Sequence, residues 1–474
     1  MEIIGRRHER QILRSCAQAD RPAFVAVYGR RRVGKTFLVK EHFDNRFAFY
    51  VSAESDAPMA EQMAIFHAAL QKHFTGDIPV PKNWLAAFMH LERLLESLPT
   101  TEKKVVFIDE LPWFDTRRSR FLPALEHFWN SFASSRPDIL LIVCGSAASW
   151  MINNLIDSYG GLHNRITHQI QLQPFTLAEC EEFFRSRGVV FNRRQVAEAY
   201  MILGGIPYYL EQVDKSFGLN QNIDALFFAQ SAKLKGEFRR LYASLFRSAA
   251  NHLRVVEALG ANASGLSRQQ IVAASGIADG GALSDILREL EQCGLIAATD
   301  DYNKRRNGEY YRLADFFSQF HLRYIAGKRS QDEHFWTNYL LDPAHHNWCG
   351  HAFERLCLAH TAQIKAKLGI AGVITNTYSW RSTDRSSPLQ IDLVLDRNDR
   401  VVNLCEIKYR MSEFAIDSAY AAHLAARRQR FIEETGTRSA VHQTMITTYG
   451  LGHNAYANDI QSVITLDDLF ANPS

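Results

Sequence analysis

Residues 22–43, PAFVAVYGRRRVGKTFLVKEHF, constrain the fold more than any other stretch of the chain. The apolar run Ala23 to Tyr28 reads as a buried strand. Gly29, Gly34, Lys35 and Thr36 then fit the spacing G-x-x-x-x-G-K-[ST], and an amphipathic helix starts at once with Thr36, Phe37, Leu38, Val39 and Phe43. Strand, glycine loop and helix in register make a phosphate-binding loop. Glycine lets the backbone of Gly29, Arg30, Arg31, Arg32, Val33 and Gly34 curl until its N–H groups point inward at phosphate oxygens. The helix N-terminus adds partial positive charge. Lys35 is expected to reach the β- and γ-phosphates of ATP, and the Thr36 hydroxyl to hold Mg2+.

The flanking segments supply the rest of such a site. FAFYVSA (47–53) reads as a second strand, and residues 57–99 read as helical. KKVVFIDELPWF (103–114) is a buried parallel strand with acids at its C-terminal tip, where open α/β sheets place their ligands. There Asp109 is expected to bind Mg2+, directly or through water, and Glu110 to accept a proton from the attacking water. DILLIVCGSAASWM (138–151) is a third buried strand, tipped by Gly145 and Ser146. Ser146 would either sense the γ-phosphate or cap the helix that follows. Arg165, ahead of the strand THQIQLQP (167–174), is either an arginine finger for phosphoryl transfer or a solvated loop arginine. A finger acting on a neighbouring copy would require a homo-oligomer.

Composition bounds the alternatives. At 474 residues the chain is too long for one core, and about three domains are expected. The net charge of +3 is too small to argue for nucleic acid by itself, so any basic patch must be local. Seven scattered cysteines without a C-x-x-C pair point to reduced thiols and a cytoplasmic protein, and away from a disulfide framework or zinc. The start, MEIIGRRHER, lacks a signal-peptide core, and no apolar stretch approaches the roughly 20 residues that span a bilayer, so no membrane partner is expected.

Several motifs together resemble the AAA+ ATPases, in the STAND and origin-recognition-like branch of bacteria and archaea. They are IIGRRHE near the start, GRRRVGKT, VVFIDE, the strand ending CGSAASWM, NRITHQIQLQPF, and GGIPYYL at 204–210. The resemblance covers residues 1–235. It implies a five-stranded parallel sheet followed by a helical lid, residues around Ile4–Arg7 near the adenine, and Gly205, Ile206 and Pro207 close to the nucleotide. The sequence departs from the family in carrying no evident lid arginine as a second sensor. Thr176 and Glu179 in TLAEC form a capping box that starts the first lid helix.

Residues 236–330 hold three short helical patterns, HLRVVEALGA, SRQQIVAAS and GGALSDILRELEQCG. LIAATD, the tip NKRRNG and EYYRLAD follow. Three helices and a strand–turn–strand pair suggest a winged helix. Helix 282–292 would enter a major groove and Lys304, Arg305 and Arg306 would meet phosphate or a minor groove. Asp285, Glu289 and Glu291 against Arg288 suit that helix poorly for a polyanion, which favours a structural or regulatory module.

The last segment has its own acidic pattern. GHAFERLCLAHTAQIKAKL (350–368) is an amphipathic helix with Glu354, and GVITNTYSW (372–380) reads as a strand. LQIDLVLD (389–396) and VVNLCEIKYR (401–410) form a hairpin around the turn RNDR. Glu406 and Lys408 lie two apart and face one side, where Asp392 can join them. This set resembles the D…E-x-K core of the PD-(D/E)XK nuclease fold, with Ile391 in place of its proline. The resemblance implies Mg2+, or Mn2+, held by Asp392 and Glu406 with Glu354 beside them, and Lys408 orienting or deprotonating water. The helix 412–434, with Arg427, Arg428 and Arg430, reads as having a solvated basic face.

The expected fold is α/β: an AAA+ P-loop core (1–172), a helical lid (173–235), a winged helix (236–330), a connecting helix (331–349) and a restriction-endonuclease-like domain (350–474). The expected function is an ATPase that controls a nuclease-like domain acting on nucleic acid, DNA ahead of RNA. The alternative is a signalling switch whose C-terminal fold is an inactive platform for a partner protein.

Overall fold

The apolar run Ala23–Tyr28 forms strand β1, and all six of its side chains are buried. A strand covered on both faces is what a parallel sheet between helices demands. In the computed structural model, β2 (Phe49–Ser52), β3 (Lys104–Asp109), β4 (Ile139–Gly145) and β5 (His168–Gln171) join it in an all-parallel sheet of order β2-β3-β4-β1-β5. The residues described are 2–74, 76–99, 102–157, 164–246, 248–302, 309–327, 332–384, 386 and 388–472. Because the strands run parallel, the C-terminal ends of β1, β4 and β3 lie along one edge. The stretch 57–99 is two helices, Met59–Gln71 and Trp84–Ser97. Phe66, Phe114 and Phe121 each meet the Trp84 ring edge to face there, with Trp84 and Phe121 ring centres 4.9 Å apart. This sheet and its helices form one compact unit, Met1–Pro174 with Ala243–Arg247.

The second compact unit is Phe175–Tyr242 with Ser248–Ser474. It starts with helix Leu177–Ser186, whose capping box is formed as the sequence implied: Thr176 N–H donates to Glu179 Oε2 at 2.9 Å, and Glu179 N–H to Thr176 Oγ1 at 3.3 Å. Helices Ala250–Gly260, Arg268–Ser275 and Gly281–Gln292 accompany an antiparallel sheet of β6 (Leu266–Ser267), β7 (Ile296–Asp300) and β8 (Glu309–Leu313), ordered β6-β8-β7. The tip with Lys304, Arg305 and Arg306 lies outside the described residues.

A mixed sheet of order β13-β12-β11-β10-β9 follows, made of β9 (Thr375–Arg381), β10 (Gln390–Arg397), β11 (Val401–Lys408), β12 (Ala440–Thr447) and β13 (Ser462–Thr465). β9, β10 and β11 pair antiparallel; β11, β12 and β13 pair parallel, with helix Ser418–Thr435 crossing from β11 to β12. The middle and C-terminal sheets are joined. Asp301 bridges Ser379, Tyr302 N–H donates to the Ser379 carbonyl at 2.8 Å, and the Tyr302 ring is buried with Trp380, Ile391 and Phe431. All seven cysteines are buried free thiols. Among the described residues no helix is long and apolar enough to cross a membrane.

Candidate active site

The phosphate loop is shaped by two glycines. Gly29 has φ 139°, and a Cβ there would lie 2.4 Å from the Leu172 carbonyl oxygen. Gly34 has φ 92° with open space around it, and the helix Lys35–His42 begins at the next residue. Lys35 is buried, and its Nζ donates to the carbonyls of Gly29 at 3.0 Å and Arg30 at 2.9 Å. The ammonium therefore lies over the loop it would share with phosphate. Arg30 and Val33 are buried, while Arg31 and Arg32 are half-buried. The start of the chain meets the same loop: Ile4 is buried, and Arg6 Nη2 donates to the Val33 carbonyl at 3.4 Å.

Thr36 Oγ1 donates to Asp109 Oδ2 at 2.8 Å, which brings the loop to the tip of β3. Burial raises the Asp109 pKa, and the neighbouring Glu110 charge adds to this; hydrogen bonds from Thr36, Cys144 and the Glu110 backbone pull the other way. A hydroxyl and a carboxylate side by side are hard oxygen donors that suit Mg2+.

Glu110 sits at φ 49°, just past β3. Its carboxylate accepts from the Ser146 hydroxyl at 2.7 Å and the Ser146 N–H at 3.3 Å. The Ser146 side chain is thus turned to Glu110. The turn Ala148–Trp150 carries no side-chain cap. Arg165 is exposed in the turn before β5. Pro207 is half-buried and opens the short helix Pro207–Leu210 of the second unit. Just before it, a Cβ on Gly205 would lie 2.0 Å from the Phe175 carbonyl oxygen.

The C-terminal acids form a separate group. Leu393 pairs with Cys405, so continuing the register sets Asp392 opposite Glu406, beside an irregularity between Ile391 and Val394. Glu406 is buried. It accepts from Arg427 Nη1 at 2.6 Å, Lys408 Nζ at 2.9 Å and the Tyr420 hydroxyl. Burial alone would raise its pKa, yet the charges of Arg427 and Lys408 and the hydrogen bonds from Tyr420 and Lys408 bring it down to about 2. Asp392 is half-buried and accepts from Gln390 Nε2 at 2.6 Å and Arg312 Nη2 at 3.3 Å. Glu354 pairs with His351 at 3.1 Å. The carboxylates are the right chemistry for Mg2+ or Mn2+. Among the described residues, however, no three acidic, histidine or cysteine side chains already gather into a metal-holding group. Each acid is instead turned to a cation or a histidine.

Arg427 corrects an expectation. It is buried against Glu406 and does not share the solvated face of its helix, where Arg428 is exposed. Leu424, Arg427 and Phe431 are the buried residues of that helix, spaced i, i+3, i+7. An arginine on the apolar stripe was the available signal of a buried partner. Arg312 and Tyr420 had no such signal.

A glycine loop between a buried strand and a helix, in a five-stranded parallel sheet with a threonine hydroxyl against an aspartate at a strand tip, defines a P-loop, Walker-type ATPase. Residues 4–213 match the family described as "ATPase domain predominantly from Archaea", in agreement with a P-loop, Walker-type ATPase that uses ATP with Mg2+. An uncharacterized protein of Methanocaldococcus jannaschii is 22% identical over 414 residues, covering 86% of this chain and 88% of that one. Among solved structures, the Walker-type ATPase of Pyrococcus abyssi is 18% identical, with 68% of this chain and 96% of that one covered at a TM-score of 0.48. The ORC2 protein of Aeropyrum pernix in its ADPNP–ADP complexes is 15% identical, with 68% and 93% covered at 0.41. The RuvB Holliday junction branch migration motor of Thermotoga maritima is 13% identical, with 65% and 92% covered at 0.34.

Proposed function

We propose that this ATPase controls a metal-dependent, nuclease-like site built on Asp392, Glu406 and Lys408, with Glu354 beside it, and that the substrate is nucleic acid, DNA ahead of RNA. The observation that carries the reading is the pairing of β10 with β11. Its terminal pair, Leu393 with Cys405, leaves Asp392 and Glu406 as the next residues on the two strands, with Lys408 Nζ 2.9 Å from the Glu406 carboxylate. At the ATP site, Lys35 would bind phosphate, Thr36 and Asp109 would hold Mg2+, and Glu110, positioned by Ser146, would take the proton of the attacking water. At the C-terminal site a bound Mg2+ or Mn2+ would polarise the phosphodiester. Lys408 would orient or deprotonate the water.

The middle module supports a winged helix by its order of three helices and the β6-β8-β7 sheet. Its helix Gly281–Gln292 exposes Asp285 and Arg288, which pair with each other at 2.6 Å. That self-pairing favours a structural or regulatory module over a groove reader.

A second reading has its own support. Arg427, Lys408 and Tyr420 all turn to Glu406, which suits an inactive platform that binds a partner protein. One assay separates the two. Purified protein is given single-stranded DNA, duplex DNA and RNA with Mg2+ or Mn2+, beside Asp392→Ala. Cleavage lost in the variant supports the nuclease; no cleavage with ATP hydrolysis intact supports the platform.

A further inference from the structure

Asp392 and Glu406 are held by different parts of the chain. Arg427, Lys408 and Tyr420, which hold Glu406, all belong to the C-terminal segment, and all three contacts are 2.9 Å or shorter. Asp392 takes its cation from outside that segment: Arg312, on β8 of the middle sheet, reaches it by the single contact of 3.3 Å between Nη2 and Oδ1. Arg312 is buried, and its Nε makes no hydrogen bond among the described residues. The guanidinium is thus desolvated and loosely held.

The surrounding backbone makes room for it. Gly265 has φ 80°, and a Cβ there would lie 2.7 Å from Arg312 Cγ and 2.9 Å from the Tyr311 carbonyl oxygen. Arg381 braces the same wall. Its guanidinium lies 3.8 Å from the centre of the Tyr310 ring and donates to the Ser264 carbonyl. The main-chain link from Tyr302 to Ser379 fixes the two sheets to each other, so the guanidinium can swing away while the backbone stays in place.

Resting on the metal-site reading above, we infer that Arg312 is a cationic latch on Asp392: it takes the place of a divalent ion, and metal loads only when Arg312 lets go. A guanidinium and a divalent cation on one carboxylate repel, and because the Arg312 guanidinium is buried that repulsion is only partly screened. Glu406 cannot play this part, because its cations come from its own strand and the following helix. Asp392 is the acid whose partner belongs to another module, so the middle module sets the metal affinity of a site whose acids it does not supply.

The test is a Mn2+ titration of the full chain without nucleotide, with free Mn2+ followed by electron paramagnetic resonance. Wild type and Arg312→Gln are each compared with and without Asp392→Asn, which removes Mn2+ bound elsewhere from the comparison. The expected result is Asp392-dependent Mn2+ binding at least tenfold tighter in Arg312→Gln than in wild type. Arg312→Met, which removes the charge while the stem still packs, shifts the same way and serves where the glutamine variant fails to fold. Equal Asp392-dependent affinities would overturn the latch and leave the metal site standing. No Asp392-dependent binding in any variant would overturn the metal site, and the latch with it.

Discussion

The Ser146 hydroxyl donates to Glu110 Oε1 across 2.7 Å, joining the residue past β4 to the residue past β3. A carboxylate expected to take a proton from water is thereby fixed in direction by the neighbouring strand. Glu110→Gln should keep ATP binding and lose hydrolysis by roughly 10²–10⁴-fold, the usual worth of a placed general base. Ser146→Ala should also keep binding and lower kcat by about tenfold, since it disturbs only the aim of that base. Steady-state hydrolysis with a separate nucleotide-binding measurement decides both. Unchanged turnover in Glu110→Gln would remove Glu110 from the role of base.

Lys35→Ala should weaken ATP binding by about 100-fold or more. The ammonium now rests on the carbonyls of Gly29 and Arg30, and would exchange these for phosphate oxygens. A hydrogen bond to a charged group is worth about 1.5–3 kcal/mol, and Lys35 would make more than one. Fluorescent-nucleotide titration reads the loss; unchanged affinity would break the assignment of the loop.

The two loop glycines should differ in what they tolerate. Gly34→Ala costs the strain of a positive φ, about 1–2 kcal/mol. Gly29→Ala costs that strain and also a clash with the Leu172 carbonyl at 2.4 Å, so it should unfold at a clearly lower temperature than Gly34→Ala. Equal melting temperatures would contradict the loop geometry.

Acid should act through Glu406. Its pKa falls from an ordinary 4.5 to about 2 because Arg427 and Lys408 outweigh burial. A depressed carboxyl pKa contributes stability above pH 4.5, and that contribution is lost as the pH falls from 4.5 through about 2. Glu406→Gln should therefore be less stable than wild type at neutral pH, with the gap closing toward pH 2. Urea unfolding across this range measures it; a gap independent of pH would contradict the ion pairs.

What the sequence made legible was local. Strand β1, the loop and its helix follow one another within some twenty residues, and Thr176 with Glu179 formed the capping box that their spacing implies. Pairings over distance were not legible. Ser146 could be a cap or a partner of the site until β3, carrying Glu110, was seen beside β4. Arg312 lies 80 positions from Asp392, and nothing in EYYRLAD distinguishes it from a solvated strand residue. The break between Met59–Gln71 and Trp84–Ser97, by contrast, is written in the sequence: Gly76, Pro79 and Pro81 lie between the two helices and end the continuous helix expected over 57–99.

The most direct test of the whole account measures cleavage of duplex DNA with Mg2+ or Mn2+ against ATP concentration, in wild type, Lys35→Ala and Asp392→Asn. The account predicts cleavage that depends on ATP in wild type, loses that dependence in Lys35→Ala, and disappears in Asp392→Asn while ATP hydrolysis persists. Cleavage with the same ATP dependence in Lys35→Ala as in wild type, or none anywhere while ATP is hydrolysed, would contradict it.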